Sequence, residues 1–332
     1  MTRMTSTVKT RILILSDTCG QQFPADRLPK CKVDLVLYCG NLTKESKISE
    51  YHTTIDMLKS LDAPMKLVIP GNNDYSLDKP SLRQKILDEG LAGQRDVVIA
   101  KYGLYGEAQM LFDLVRDSHG IHLLDEGTHK FTLPNGATFS LYASPFTSSP
   151  KADGAFQSQS NEKHEFKIEN GVDIVMTHCP PAGIFDRSRD FKMQGDRKLF
   201  EAIERAQPRL HCFGHIRYSW GGSLSTWRDN SFFQTDPPSH FACIDNLKTK
   251  KLDCLWNLRV SCADSEEAAM YKTRRQARLE AKGYRTTSHC NVDSHPIVPG
   301  KKTLFINASI MGDHIPFQLP WVVEMELPCV KE

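Results

Sequence analysis

Short apolar runs alternate with polar and amphipathic segments along the first part of the chain. The runs at 11–17, 34–41 and 65–74 lack the period-two alternation of a half-exposed strand, and each ends in polar residues. Such runs are typical of strands in a sheet that is covered on both faces. The segment 47–64 instead carries apolar residues at helical spacing, which predicts a crossover helix. The pattern indicates a β-α-β arrangement.

The later part of the chain repeats this pattern. A Pro-Asn-Gly turn at 134–136 lies between strand-like residues and predicts a hairpin. The segments 173–181 and 209–217 are apolar strands that run into loops containing His, and 301–311 and 317–328 resemble two closing strands. Several strands therefore deliver polar residues to one edge of a sheet. In open α/β sheets, the carboxyl edge is where sites are built.

The stretch of about 218–300 interrupts the pattern, and we interpret it as an insertion within a single domain of residues 1–332. It contains a Ser/Gly/Trp-rich segment, a Phe-Phe-Gln-Thr-Asp-Pro-Pro loop at 232–238 and a charged helix. That helix is predicted to begin near Asp264 or Ser265, with acidic residues in its first turn, and to stop at Gly283. Its composition favours a solvated helix over a nucleic-acid arm.

Composition narrows the class of protein. The 332 residues carry 42 Lys and Arg against 40 Asp and Glu, a formal net charge of +2, so no global field indicates nucleic acid or an acidic membrane as a partner. The ten cysteines are scattered without a CxxC pair, which is typical of reduced thiols in a cytosolic protein. No apolar run approaches the ~20 residues of a membrane helix. We expect a cytoplasmic protein that acts on a small molecule; oligomeric state has no signature in the sequence.

Five loops after the predicted strands carry ordered polar motifs. They are Ser16-Asp17-Thr18-Cys19, Gly40-Asn41, Gly71-Asn72-Asn73-Asp74, Thr177-His178-Cys179-Pro180-Pro181 and Gly214-His215-Ile216-Arg217. Their order and spacing resemble the signature D-x-H, G-D, G-N-H-D/E, H and G-H-x-H of the calcineurin-like metallophosphoesterase superfamily. The segments YASPF, THCPPAG and TLFINAS are similar to the branch of brain-type and fungal metallophosphoesterase-domain proteins. The resemblance implies an α/β fold, a four-layer α-β-β-α sandwich.

The same resemblance implies a metal site that is only partly retained. In the family, two cations ~3.5–4 Å apart activate water and neutralise the leaving oxygen. Four of the family's residues match here, namely Asp17, Asn72, His178 and His215. Four others are replaced, by Cys19 and Arg217 at two ligand histidines, Asn41 at the bridging carboxylate and Asn73 at the catalytic histidine.

These replacements predict a site without a dinuclear metal centre. Arg217 would place a permanent cation where the first ion binds, and Asn41 is a neutral amide that cannot balance metal charge. We expect no cofactor; if a single Zn or Mn ion binds weakly, its ligands are Asn41, Asn72, His178 and His215. The predicted catalytic residues are Asn73, His178, His215 and Arg217. The predicted substrate-binding residues are Asp17, Cys19, Asn41, Asn72 and Trp220.

Simpler interpretations exist for several of these residues. His178 before Cys-Pro-Pro also fits a loop-anchoring histidine, and Cys19 and Cys179 also fit inert buried thiols. Trp220 also fits a packing residue, and Asn307 and Ser309 in the closing strand also fit residues that satisfy backbone groups.

Three functions are compatible with the sequence. The first is metal-independent chemistry on a small organic molecule, of the lyase, isomerase or cyclase type. The second is a weak phosphodiesterase that works with one metal or with Arg217, since arginine pairs well with phosphate. The third is a non-catalytic pseudophosphatase that binds a nucleotide or a protein partner. Polar rather than bulky replacements favour a ligand-binding pocket over a scaffold.

Overall fold

The structure is a computed structural model that describes residues 6–24, 27–149, 153–158, 164–229, 237–311 and 318–329. The strands are β1 Thr7–Leu15, β2 Leu35–Cys39, β3 Met65–Ile69, β4 Ile121–Leu123, β5 Gly127–Thr132, β6 Thr138–Ser144, β7 Thr147–Ser148, β8 Gln157–Ser158, β9 Ile174–Thr177, β10 Leu210–Phe213, β11 Gly221–Thr226, β12 Lys250–Cys254, β13 Arg285–Ser288, β14 Lys302–Asn307 and β15 Trp321–Pro328. The helices are α1 Ile48–Ser60, α2 Lys79–Asp88, α3 Arg95–Tyr102, α4 Glu107–His119, α5 Arg197–Ala206, α6 His240–Cys243, α7 Leu255–Leu258 and α8 Glu266–Lys282. Single 3₁₀ turns lie at Tyr75–Leu77 and Arg217–Ser219.

Two large sheets form the centre of the fold. Within the described residues, one has the strand order β13-β15-β1-β2-β3-β4 and the other β12-β11-β14-β10-β9-β6-β5. Strands β1, β2 and β3 are parallel to one another, as are β9, β10 and β14. The carboxyl ends of each parallel set therefore lie at a common edge.

Apolar side chains bury both faces of each sheet. Leu37 and Ile174 belong to one cluster between the two sheets. On the outer face of the first sheet, Leu58 of α1 and Phe112 of α4 are buried in a second cluster, and Phe200 of α5 lies in a third cluster on the outer face of the second sheet. Burial on both faces explains why these strands are continuously apolar in sequence. The result is a four-layer α-β-β-α sandwich, as predicted.

The predicted elements correspond closely to the observed ones. The apolar runs form β1, β2 and β3, and the crossover helix is α1. The Pro-Asn-Gly turn joins the antiparallel strands β5 and β6. Helix α8 follows Ser265, whose side chain accepts a hydrogen bond from the backbone N–H of Ala268, and is followed by Gly283 in the left-handed conformation.

The segment 218–300 differs from the prediction of an insertion. Strands β11 and β12 extend the second sheet beyond β14, while β13 pairs with β15 at the edge of the first sheet. Only α8, which has no buried residue, matches the expected solvated element. The segment is thus integrated into both sheets. Residues 232–236 of the predicted Phe-Phe loop lie outside the described residues.

Across the described ranges, no helix combines the length and the apolar character that crossing a bilayer requires.

His211 on β10 gives the fold a predicted dependence on pH. It is fully buried, its Nε2 lies 2.9 Å from the Thr177 hydroxyl oxygen, and burial lowers its pKa from 6.5 to about 3. In the folded protein His211 stays neutral down to about pH 3, whereas in the unfolded chain it takes up a proton near pH 6.5. The free energy of unfolding is therefore unaffected by His211 above about pH 6.5 and falls as the pH drops below that value. Because the free energy of unfolding changes by about 1.4 kcal/mol per pH unit for one such group, it decreases by roughly 2 kcal/mol between pH 6.5 and pH 5.

Urea unfolding at pH 7 and pH 5 measures this effect. His211→Gln should reduce the loss of unfolding free energy between these two pH values by roughly 2 kcal/mol. The matched control is His52→Gln on the exposed face of α1, which should leave the loss unchanged. An identical pH dependence in wild type and His211→Gln would show that His211 is not responsible.

Candidate functional site

The predicted site residues follow five parallel strands and meet at one edge of the two sheets. Asp17 and Cys19 follow β1, Asn41 follows β2, and Asn72 and Asn73 follow β3. The residues from the second sheet are His178 after β9, and His215 and Arg217 after β10. The backbone bridge between Ser16 and Ser309 joins the two sheets beside them.

Several of these residues have a strained backbone. Asp17, Cys19, Asn41 and His215 have φ values of 59°, 52°, 55° and 64°, in the left-handed region. Such conformations cost of the order of 1–3 kcal/mol each, and they persist where the surroundings hold them. Here the backbone N–H of Asp17 donates to the carbonyl of Gly40 at 2.9 Å, and that of Cys19 donates to the carbonyl of Asn41 at 3.1 Å. Strain concentrated in facing loops is typical of a functional site.

Glycines allow these loops to approach one another. A Cβ atom on Gly40 would lie 2.4 Å from Nδ1 of His178, and one on Gly214 would lie 2.4 Å from Oδ2 of Asp17. Gly40 also has a φ of +98°. Both positions therefore require glycine, through close packing against site residues.

Asp17 is a buried carboxylate with three hydrogen-bond donors. Asn41 donates its Nδ2–H to Oδ1 at 2.9 Å, while the backbone N–H of His215 and the hydroxyl of Ser309 donate to Oδ2 at 3.0 and 2.9 Å. Burial acts to raise the pKa of Asp17, but the nearby charge of Arg217 and the donated hydrogen bonds lower it overall. Asp17 is therefore ionised at neutral pH.

The amide of Asn41 has a defined orientation. Its Oδ1 accepts a hydrogen bond from the backbone N–H of Asn73 at 2.9 Å. Because a backbone N–H can only donate, the Nδ2 group must point the other way, where it lies 2.9 Å from Asp17 Oδ1 and 3.3 Å from Asn72 Oδ1. The Nδ2 group of Asn41 thus directs its two N–H donors toward Asp17 and Asn72 at the centre of the site.

His178 and His215 converge on Asn72. His178 donates from Nδ1 to the carbonyl of Cys39 at 2.7 Å, and its Nε2 lies 3.0 Å from Asn72 Oδ1. His215 Nδ1 lies 3.0 Å from the same oxygen, and the two rings are 5.0 Å apart. Burial lowers the pKa of both histidines, that of His215 to about 3, so both are neutral at pH 7.

A neutral His178 leaves two acceptors facing each other. Since its Nδ1 carries the proton, its Nε2 presents a lone pair to the carbonyl oxygen of Asn72. A substrate proton or a cation brought between them would satisfy both atoms.

Arg217 and Cys19 form the opposite side of the site. Arg217 donates from Nη2 to Cys19 Sγ at 3.2 Å, and Gln318 donates to the Arg217 carbonyl at 2.8 Å. Burial raises the pKa of Cys19 to about 12 in spite of the nearby guanidinium. Cys19 is therefore a neutral thiol at neutral pH in the metal-free site.

Asn73 lies at the rim of the site. Its side-chain Oδ1 accepts a hydrogen bond from Asn72 Nδ2 at 3.2 Å, and both side chains are partly exposed. His215 and Arg217 are also partly exposed, whereas Asp17 and His178 are fully buried. A ligand would therefore meet Asn72, Asn73, His215 and Arg217 first.

Trp220 does not lie in the site, which corrects its prediction as a substrate-binding residue. Its side chain is 1% exposed, stacks on Trp321 with ring centroids 5.0 Å apart, and donates from Nε1 to the carbonyl of Leu319 at 2.9 Å. The indole ring is thus part of the core between the sheets, where it lies in the same cluster as Trp321.

Two residues of the site were not recognised from the sequence. Ser309, interpreted there as a residue that satisfies backbone groups, donates to Asp17. Asp74 is fully buried and accepts hydrogen bonds from the backbone N–H groups of Leu42, Thr43 and Gly71, and burial raises its pKa to about 6. Asp74 thereby joins the loops after β2 and β3; its position at the end of the Gly-Asn-Asn-Asp motif was the available signal.

Clusters of strong metal ligands are not found here. In the described part of the chain, no group of three or more His, Cys, Asp or Glu side chains is arranged to hold a metal ion.

Comparison with known proteins places these loops in a family. A family model for calcineurin-like phosphoesterases matches residues 10–217. UPF0046 protein T07D4.2 of Caenorhabditis elegans is 28% identical over 218 residues, covering 64% of this chain and 52% of the relative. Human metallophosphoesterase domain-containing protein 1 is 27% identical over 222 residues, covering 64% of this chain and 62% of the relative. The chain thus matches little more than half the length of these curated relatives.

A solved structure with a similar fold is that of TT1561 from Thermus thermophilus. It has a TM-score of 0.40 and 13% identity, and the match covers 63% of this chain and 82% of that protein. The matched family model spans more than half of the 332 residues and includes the five ordered loop motifs between Ser16 and Arg217. The chain belongs to the calcineurin-like phosphoesterase family.

Proposed function

We propose that this protein, acting as one domain in the cytoplasm, carries out metal-independent proton-transfer chemistry on a small organic substrate, of the lyase, isomerase or cyclase type. The observation that carries the proposal is the orientation of Asn41 and Arg217. Both present hydrogen-bond donors to the region where the family uses anionic and neutral metal ligands. The negative charge of Asp17 is already compensated by these donors.

Two divalent cations do not fit the residues that are present. A guanidinium at ~4 Å repels a divalent ion by about 8 kcal/mol at an effective dielectric constant of ~20. The Asn41 NH₂ group is a hydrogen-bond donor that offers no lone pair to a metal ion, and Cys19 Sγ already accepts a hydrogen bond from the Arg217 guanidinium. Asp17 is then the one anionic ligand left from the family's set. No step of the proposed reaction passes through a metal.

The partly exposed histidine supports proton transfer. With Nδ1 of His215 donating to Asn72, its Nε2 is the atom that accepts a proton from the substrate and returns it at another position. A pKa as low as about 3 makes His215 a weak base, so the reaction depends on a substrate anion stabilised by Arg217 and on positioning. Such a transfer within one substrate needs no oxidant and no second reactant.

A one-metal phosphodiesterase is the second candidate. The observation that favours it is the convergence of His178 Nε2 and His215 Nδ1 on Asn72 Oδ1, each at 3.0 Å. Imidazole nitrogens and an amide oxygen suit a borderline ion such as Zn²⁺. With Asn41 turned so that its NH₂ group faces the centre, this set has no carboxylate, and the affinity would be low.

A chelation experiment separates the two candidates. The protein is treated with EDTA and assayed with bis(p-nitrophenyl) phosphate and, by mass spectrometry, with a small-molecule extract of its source cells. We expect no turnover of the phosphodiester, and conversion of an extract component with unchanged mass or with loss of a neutral fragment. His215→Gln should abolish that conversion, whereas His52→Gln, an exposed control on α1, should retain it.

Two results would overturn the proposal. Phosphodiester turnover that is lost in EDTA and restored by Zn²⁺ or Mn²⁺ would establish the one-metal candidate. Conversion of no compound, together with binding of a nucleotide or protein that His215→Gln leaves intact, would establish a non-catalytic protein.

A further inference from the structure

A second concave site lies beside the turn that carries Arg217. It is a pocket of about 220 Å³ lined by Tyr218, Leu255, Trp256, Arg259, Val260 and Ser261. Ligand sites for drug-sized molecules usually measure about 300–1,000 Å³, so this pocket has room for one ring system.

The pocket keeps aromatic and apolar surface accessible to water. Trp256 is 59% exposed and Val260 is 52% exposed, although the neighbouring Leu255 is buried in the core. Tyr218 meets Trp256 edge to face, with ring centroids 6.4 Å apart. A planar ring inserted here would pack against rings already held at an angle to each other, which is a favourable aromatic geometry.

The pocket also carries a positive charge without a counterion. Among the described residues, the side chain of Arg259 has no hydrogen bond or ion pair; its backbone N–H donates to the carbonyl of Leu255, and its backbone carbonyl accepts from Lys272. A guanidinium beside aromatic rings favours a ligand that combines a flat apolar body with a carboxylate or similar anion.

The pocket is continuous in sequence with the candidate site. Arg217, Tyr218 and Ser219 form one 3₁₀ turn, in which Arg217 contacts Cys19 and Tyr218 lines the pocket. Ser219 anchors the turn, since its hydroxyl bonds both the N–H and the carbonyl of Arg187. The two binding surfaces are therefore held in a fixed relation.

We propose that this pocket binds a planar aromatic ring that carries an anionic group. We infer further that the ring is the aromatic end of the substrate, a statement that rests on the proposed function, whereas binding itself does not. In this arrangement Trp256 and Tyr218 hold the ring, Arg259 pairs with its anion, and the reactive end of the molecule faces His215 and Arg217.

Calorimetric titration with 2-naphthoate, and with neutral 2-naphthamide, tests the pocket directly. Trp256→Ala should weaken binding of both compounds by at least about tenfold, because it removes the main stacking surface. Arg259→Gln should weaken binding of 2-naphthoate by about tenfold and leave 2-naphthamide unchanged, because it removes a charged hydrogen bond. Both side chains are exposed, so the variants should fold normally.

Controls separate this pocket from non-specific binding and from the proposed reaction. Phe241→Ala removes another exposed aromatic ring, 73% exposed and outside the pocket, and should leave binding unchanged. His215→Gln should also retain binding of 2-naphthoate. The inference that the pocket binds an aromatic anion is therefore independent of the outcome of the chelation experiment. Absence of binding to the wild type, or equal binding by Trp256→Ala, would overturn the inference.

Discussion

The triple variant Cys19→His, Asn41→Asp, Arg217→His is expected to bind two divalent ions, whereas the wild type binds at most one weakly. Two of these changes each make the site one charge unit more negative, and two supply imidazole ligands. Removing Arg217 alone eliminates a repulsion of about 8 kcal/mol at ~4 Å. A micromolar or tighter Kd for Zn²⁺, equivalent to about −8 kcal/mol, is the expected result, measured by calorimetry and by metal analysis after dialysis.

The single variant Asn41→Asp is the matched control for this experiment. It restores the bridging carboxylate but leaves the guanidinium beside Cys19, so it should not take up two equivalents. Metal analysis of the wild type is the decisive comparison. If the wild type retains two equivalents of divalent ion per chain after dialysis, Arg217 and Asn41 do not exclude a dinuclear centre, and the prediction is wrong whatever the variants bind.

Asp253→Ala should produce the largest loss of stability. Asp253 on β12 is fully buried at its side chain and pairs with Arg275 of α8 at 2.5 Å and with Arg285 of β13 at 2.9 Å. Removing it leaves two guanidinium groups without a carboxylate partner, each keeping a hydrogen bond to a backbone carbonyl. Breaking a buried ion pair costs about 3–5 kcal/mol. Because both arginines are partly exposed, we expect a loss of unfolding free energy at the lower end of this range, about 3 kcal/mol.

Urea unfolding measures this loss. The control is Asp117→Ala, which removes the partner of Arg116 in an ion pair whose side chains are 87% and 54% exposed; its unfolding midpoint should not change. If Asp253→Ala and Asp117→Ala unfold at the same urea concentration, the pairing of β12 with α8 and β13 does not stabilise the fold.

The position of Asp253 explains how the last third of the chain is held in place. β12 lies at the edge of the seven-stranded sheet and β13 at the edge of the six-stranded sheet. The Asp253 carboxylate thus joins the edges of both sheets directly through Arg285, and through Arg275 it also holds α8, a helix that has no buried residue. Helix α7, which carries Trp256, lies directly after β12, so loss of Asp253 should also disturb the aromatic pocket.

The site loops are held together by hydrogen bonds between side chains and backbone of the protein itself. Asp17 still accepts three hydrogen bonds, but Asn41 and Ser309 supply two of them. Asp74 still joins the neighbouring loops through backbone N–H groups. The loop geometry is therefore supported by hydrogen bonds within the protein and needs no bound ion to hold it.

The sequence by itself determined the elements and the family resemblance. Continuous apolar runs predicted β1, β2 and β3, because a strand that is buried on both faces is apolar at every position. Apolar residues at helical spacing predicted α1, because that helix is buried on one face. The replaced residues, such as Asn41 and Arg217, were also visible at once, since the motifs are short and ordered.

Tertiary structure alone decided the roles of residues whose partners are distant in sequence. Ser309 reaches Asp17 across 292 positions, and the orientation of Asn41 depends on the backbone N–H of Asn73. Trp220 was predicted to bind substrate, but its indole ring stacks on Trp321, which is distant in sequence, and is buried in the core. Local patterns encode which face of an element is buried; hydrogen-bond orientation and sheet pairing are set by long-range contacts that no local pattern contains.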